Sequence, residues 1–379
     1  MPFAAGTSSH PVTATAVGEV VGQVMDDLGD GPDLATLFVT THHGGAIEDA
    51  AGAVRALLRP GVLFGCVAVS VVGTNVEIEQ EPGVTLWAGR GGAVAPVEVE
   101  AGRTNIPDAG FSPTALLLVA DPFSVDVEAV LAGVADHYPG VPVIGGNASA
   151  GARAGGNRLL AAGGVRTTGA VGALLGPGWS AEAVVSQGCR PIGSPWVVTR
   201  AEGNVIHELA GEPPLTRLMR LAEHDLTEDE IALVNHGLQL GVVVDERREE
   251  FGRGDFIIRA VLGADRSTGA MAVGEAVEVG TTVQFQVRDA ATASEDLHAL
   301  LSGHSDAHTG ARGRSRGALL FTCTGRGRAL FGTRSHDARA IDDVLGCPTG
   351  GFFANGEFGP VGDRNFVHGY TASIALFRE

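Results

Sequence analysis

The chain has 379 residues, 44% of them hydrophobic and 18% charged, so it can bury one large core or two ordinary ones and little of it reads as disordered tail. Its 44 acidic residues against 26 basic ones give a formal charge of −18, which excludes non-specific binding to nucleic acid or an anionic membrane, since both need cationic surface. Every basic residue is arginine; without lysine there is no Walker-type phosphate loop and no Schiff-base mechanism.

In chain order, the first ten residues read as a flexible leader, lacking the basic and apolar regions of a signal peptide. Val17, Val20, Val21, Val24 and Leu28 recur at helical spacing, and Gly29-Asp30-Gly31-Pro32 stops that helix. A strand over Ala35–Thr41, a helix over Ala46–Leu58, a strand over Val62–Gly73 and another over Gly83–Gly89 follow. The Val62–Gly73 run, the longest apolar one, is too short to span a bilayer. The same order returns with Thr114–Ala120, a helix over Val127–Ala135, then Val143–Gly151 and Ala170–Leu175. It returns again with Gly317–Cys323, a helix around Ala338–Leu345, then Gly351–Gly359 and Thr371–Phe377. A fourth, less complete copy is expected from Leu238–Val244 through Phe256–Leu262 to Val283–Val287. The expected fold is α/β: two pseudo-symmetric halves built from repeated β-α-β-β units, with mixed sheets packed together and helices outside. The halves meet near Ala210–Asp225, and Thr227-x-x-Glu230 reads as a capping box opening the next helix.

No two of Cys66, Cys189, Cys323 and Cys347 form a CxxC pair, so the cysteines are expected to be reduced thiols of a cytoplasmic protein. Gly146-Asn147-Ala148-Ser149 and Phe353-Ala354-Asn355-Gly356-Glu357 occupy equivalent places in two repeats; aligning Ala148 with Ala354 sets Ser149 opposite Asn355. Their glycines supply positive φ in turns, or the loops line a pocket together with Arg326. If the strands over Gly317–Cys323 and Gly351–Gly359 are parallel, their following loops reach one cavity. There Arg326 would pair a ligand carboxylate or phosphate, Glu357 an amino group, and Asn355 would fix orientation. The alternative is an internal Arg326–Glu357 salt bridge. Cys323, with His336 and Asp337 as a base pair, allows a cysteine-dependent hydrolase; inert packing is the other reading, for Cys189 as well. No HExxH occurs, and neither His42-His43 nor His304-x-x-x-His308 has a metal-binding context, so no metal or catalytic residue is assigned. The locally basic Thr309–Gly317 stretch reads as a solvated loop.

Ser186–Leu209 and Gly351–Phe377, with the Cys323-Thr324-Gly325-Arg326-Gly327 run, resemble the FIST family of intracellular sensory proteins. The resemblance runs from about Gly29 onward and implies a leader and helix over 1–28, a FIST N-like domain over 29–222 and a FIST C-like domain over 223–379. It implies a non-enzymatic cytoplasmic sensor of a small molecule such as an amino acid, acting through a separate signalling output protein, with a homodimer left open and no cofactor. The alternative is a haem-binding gas sensor. Cys323, Arg326, Asn355 and Glu357 match motif positions as ligand-binding candidates, beside Ser149 and Cys189.

Overall fold

The computed structural model describes residues 2–248, 250–252, 254–305 and 315–378, and divides into two compact units. The first comprises residues 1–186, 297–367 and 371–379; the second comprises 187–296 and 368–370.

Phe3–Ser8, expected as part of a leader, is strand β1, and the helix α1 (Thr13–Leu28) follows with the five predicted apolar residues buried. Next come β2 (Leu34–Thr40), α2 (Ile47–Leu58), β3 (Val62–Ala68), the hairpin β4 (Ser70–Gly73) and β5 (Val76–Glu79), then β6 (Val84–Gly89) and β7 (Val94–Val99). The second pass has β8 (Ala115–Ala120), α3 (Val127–His137), β9 (Val143–Asn147), the hairpin β10 (Leu159–Ala161) and β11 (Gly164–Arg166), then β12 (Ala170–Leu175) and β13 (Ser180–Gln187).

The second unit follows: β14 (Cys189–Pro191), β15 (Trp196–Glu202), β16 (Val205–Leu209), α4 (Pro214–His224), α5 (Glu228–His236), β17 (Leu238–Val243), β18 (Phe256–Ala264), β19 (Met271–Val273) and β20 (Thr282–Arg288). Because β20 pairs with β17 as well as with β15, this antiparallel sheet closes into a small barrel. The segment expected as a fourth repeat therefore forms barrel strands, with β17 and β18 antiparallel neighbours. Ahead of α5 the capping box is present, Thr227 Oγ1 accepting from Glu230 N and Glu230 Oε2 from Thr227 N.

After α6 (Ala290–Gly303) the third pass runs through β21 (Ser315–Cys323), α7 (Arg328–Phe331), α8 (His336–Leu345), β22 (Thr349–Ala354), the pair β23 (Glu357–Val361) and β24 (Arg364–His368), and β25 (Thr371–Arg378).

The first unit holds three mixed sheets of one strand order: β1-β6-β2-β3-β10-β11, β7-β12-β8-β9-β23-β24 and β13-β25-β21-β22-β4-β5. Each is centred on a parallel pair (β2 with β3, β8 with β9, β21 with β22) joined through a helix. Each pass sends its hairpin to another pass's sheet: β4-β5 to β22, β10-β11 to β3, β23-β24 to β9. The strand-helix-strand order thus occurs three times within one unit, and two pseudo-symmetric halves do not describe the chain. Two expected strands are each split by these exchanges: Val62–Gly73 into β3 and β4, and Gly351–Gly359 into β22 and β23.

The parallel strands are buried on both faces, which is why they read as continuous apolar runs. In β2, Leu34 and Phe38 enter a core shared by the three sheets, while Ala35, Leu37 and Val39 face α1 and α2. Leu117 and Val119 of β8, and Leu319 and Phe321 of β21, enter the same shared core. Their neighbours Leu116 and Leu118 pack with α3, and Ala318 and Leu320 with α8. Phe38–Phe352 and Trp87–Phe377 ring contacts, with centroids 4.9 and 4.8 Å apart, tie that core together.

Candidate functional site

One register feature recurs in all three parallel pairs. Gly65 lies opposite Leu37, Gly145 opposite Leu118, and Gly351 opposite Leu320. A Cβ on these glycines would sit 1.8, 1.8 and 1.9 Å from the facing leucine carbonyl oxygen, so only glycine fits. Four residues beyond each glycine stand Val69, Ser149 and Asn355, and all three line one cleft of about 480 Å³ within the first unit. The alignment of Ser149 with Asn355 expected from sequence is thus the register found. The cleft lies at the C-terminal ends of the parallel strands, where Phe123, Thr324, Ser70, Glu79, Gln80 and Phe353 complete much of its wall.

Backbone pairing brings these loops together. Asn355 N donates to Asn147 O at 3.0 Å, Asn147 N to Gly356 O at 2.8 Å, and Thr324 N to Ala354 O at 2.9 Å. Ser149 joins all three passes: its hydroxyl donates to Phe353 O at 2.5 Å and accepts from Val69 N at 3.1 Å. Ser149 is therefore a strut of the cleft, its hydroxyl already engaged. Asn355, Thr324 and Gln80 differ: they are exposed, and their side chains make no hydrogen bond among the described residues. Gln80 also holds a left-handed backbone at φ 56°, a conformation that disfavours side chains other than glycine.

β21 and β22 are parallel, so the two loops do reach one cavity, but Cys323, Arg326 and Glu357 are not among its lining residues. All three are buried, and of them only Cys323 is next in the chain to a lining residue, Thr324. Arg326 is 1% exposed and gives its fork to Asp337, Nε to Oδ2 at 2.8 Å and Nη2 to Oδ1 at 2.9 Å. Thr322 Oγ1 donates to the same Oδ2 at 2.7 Å, and His336 Nδ1 lies 2.9 Å from Oδ1 while its ring stacks on Phe331. Burial works against charge on Asp337, yet the Arg326 guanidinium beside it holds the carboxyl below the usual range.

Glu357 Oε2 accepts from Thr371 N at 3.1 Å and Thr371 Oγ1 at 2.8 Å, and the Cys323 thiol interacts with the same buried carboxyl. Burial pushes this carboxyl up to about 8. Glu77 of β5 reaches about 8 as well, by burial and then by the nearby Asp337 charge, although its Oε1 accepts from Asp337 N and Ala338 N at 3.1 Å. The roles expected for Arg326 and Glu357, pairing a ligand's carboxylate and amino group, do not fit their burial. The internal pair is Arg326 with Asp337.

Cys189 belongs to the second unit, in β14 opposite Arg288. All four cysteines are buried, and none forms a disulfide. His308 and most of Thr309–Gly317 lie outside the described residues. Among the described residues no group of three or more His, Cys, Asp or Glu side chains is placed to hold a metal ion, and no helix is long and apolar enough to cross a membrane. The cleft lining contains no histidine, cysteine, methionine or tyrosine, so its donor set does not fit an axially ligated haem.

Sequence reasoning missed Glu79, Gln80, Phe123 and Thr324 as lining residues. For Thr324 a signal was available, since it follows the β21 strand in the Cys-x-Gly-Arg-Gly run. For Glu79 and Gln80 there was none, because β5 reaches β22 only through the exchange of hairpins.

The chain matches the FIST N domain over residues 33–212 and the FIST C domain over residues 218–360. The boundary between the two matches falls inside the barrel, after β16 and before β17. An uncharacterized protein of Mycobacterium bovis is 45% identical, with 100% of this chain and 99% of that protein covered. An uncharacterized protein of Mycobacterium tuberculosis is 44% identical over the full length of both chains. FIST domains are associated with sensory signal transduction, and the family is regarded as a sensory rather than an enzymatic one.

Proposed function

Because the chain belongs to the FIST family, we propose that it is a non-enzymatic cytoplasmic sensor whose cleft binds a small polar molecule and whose output passes through a separate signalling protein. The observation that supports this is the convergence of all three parallel strand pairs on one cleft whose Asn355, Thr324 and Gln80 side chains make no hydrogen bond among the described residues. Polar groups at the mouth of a fold are ordinarily solvated and carry no message. Here they are gathered by three exchanged hairpins around a volume suited to a small ligand. The buried Arg326–Asp337 pair beside it braces β21 and α8 rather than meeting the ligand.

Native mass spectrometry of the purified protein tests the reading. A co-purified small molecule is expected on the wild-type chain and is expected to be lost in Asn355→Ala, whose unliganded melting temperature stays close to wild type because the side chain is exposed. Retention of the molecule by Asn355→Ala and Thr324→Val together would place the binding elsewhere and overturn the assignment to this cleft.

A further inference from the structure

The chemical class of the ligand can be read from what the cleft offers and what it lacks. Among the lining residues Glu79 is the one with an ionisable side chain. Both its oxygens accept from the backbone N–H of Arg328, at 3.1 and 3.2 Å, and among the described residues no cationic side chain pairs with it. The carboxyl group is therefore not paired with a guanidinium and retains lone pairs beyond those the N–H uses. The arginine that sequence reasoning sent to this cavity is buried against Asp337 instead. An anionic ligand entering here would meet a like charge with no cation to answer it, on a chain whose formal charge is −18.

We infer that the cleft selects a compact primary amine, its ammonium group donating to Glu79 while Gln80, Thr324 and Asn355 hydrogen-bond the rest of the molecule. This rests on the reading of the cleft as the ligand site and adds the class of ligand. An ammonium on a carboxylate makes a charge-assisted hydrogen bond, stronger than a neutral pair. The uncommitted amides of Gln80 and Asn355 can each donate and accept, and the Thr324 hydroxyl can do both. Phe123 and Phe353 add aromatic faces to the wall, which attract a cation without competing for its N–H groups. The strained backbone of Gln80 at φ 56° sets its side chain next to Glu79, where two successive residues present an acid and an amide to the same space.

The test is a titration of the full chain with ethanolamine, 1,4-diaminobutane and alaninamide, against glycolate, succinate and N-acetylalanine as anions of comparable size. Binding is read by calorimetry and by thermal shift at low and moderate salt. The amines are expected to bind and to raise the melting temperature, and the anions are not. Glu79→Gln keeps an acceptor for the Arg328 N–H, so the unliganded protein should melt unchanged while amine affinity falls about tenfold or more. Thr324→Val, remote from that N–H contact, should weaken the same amines without restoring anion binding. Anion binding abolished by Asn355→Ala would overturn the amine class yet leave the cleft as a ligand site. Amine binding that Glu79→Gln leaves unchanged would overturn the assigned contact. Failure of both sets to bind, with no co-purified molecule sensitive to Asn355→Ala, would sink the ligand site itself.

Discussion

Arg326 and Asp337 form a two-point ion pair whose side chains have no exposed surface, with Nε and Nη2 each donating to a separate carboxylate oxygen. A residue that sequence places at the edge of a pocket is thereby part of the core. The pair spans the loop after β21 and the first turn of α8, so it fixes the route by which the chain leaves the third parallel strand.

Breaking one side of such a pair leaves a buried charge uncompensated. Arg326→Ala is expected to destabilise the unliganded protein by about 3–5 kcal/mol, seen as a lower midpoint in urea. The double replacement Arg326→Leu with Asp337→Leu should cost markedly less than either single change. Equal or additive losses would show that the two residues act independently.

The raised carboxyls give a second expectation, with a definite sign. Glu357 and Glu77, pushed up to about 8 from an unfolded value of 4.5, hold a proton in the folded state that the unfolded chain has released. Their contribution is fully present below about pH 4.5 and is lost as pH rises through about 8. Between those values stability should fall with pH, by on the order of 1 kcal/mol per unit for each group. Glu357→Gln, which mimics the protonated form, should flatten part of that slope in denaturation measured from pH 5 to pH 9. An unchanged slope would mean that Glu357 is ionised in the folded protein.

The glycines opposite Leu37, Leu118 and Leu320 supply a third. Gly145→Ala and Gly351→Ala each drive a methyl group into a facing carbonyl oxygen, and backbone cannot swing aside as a side chain can. A loss of about 2 kcal/mol or more is expected for either. Gly163→Ala, with nothing within 4 Å of its Cβ, is the control and should change stability little. Similar midpoints for all three proteins would refute the close approach.

The last expectation concerns Ser149. Its hydroxyl links Val69 N with Phe353 O, so Ser149→Ala removes a strut between passes and leaves a backbone N–H and a carbonyl short of a partner. A loss of about 1–3 kcal/mol should accompany weakened ligand retention. Ser149→Thr, which restores the hydroxyl, should recover much of the stability. No recovery would argue that the hydroxyl is not the linking group.

Much of this architecture was legible one segment at a time. The apolar spacing of α1, the Thr227–Glu230 cap and the three strand-helix-strand passes each follow from local residue patterns, because a helix stripe or a doubly buried strand imprints its own period. What the chain did not reveal was where a strand changes sheets. Val62–Gly73 and Gly351–Gly359 read as single strands since apolar residues flank both crossings, yet the crossings at Val69 and Asn355 are the cleft. Likewise the sequence put Arg326 and Glu357 in one loop region but could not choose a partner for the guanidinium. That choice fell to the tertiary structure, which folds α8 back so that Asp337 meets Arg326. It also carries the β4-β5 hairpin across so that β4 pairs with β22, bringing Glu79 to the cleft that Thr324 and Asn355 also line. Local periodicity records which residues are buried; the partner a buried or cleft-facing group meets depends on strand exchange between passes far apart in the chain, and no local pattern encodes it.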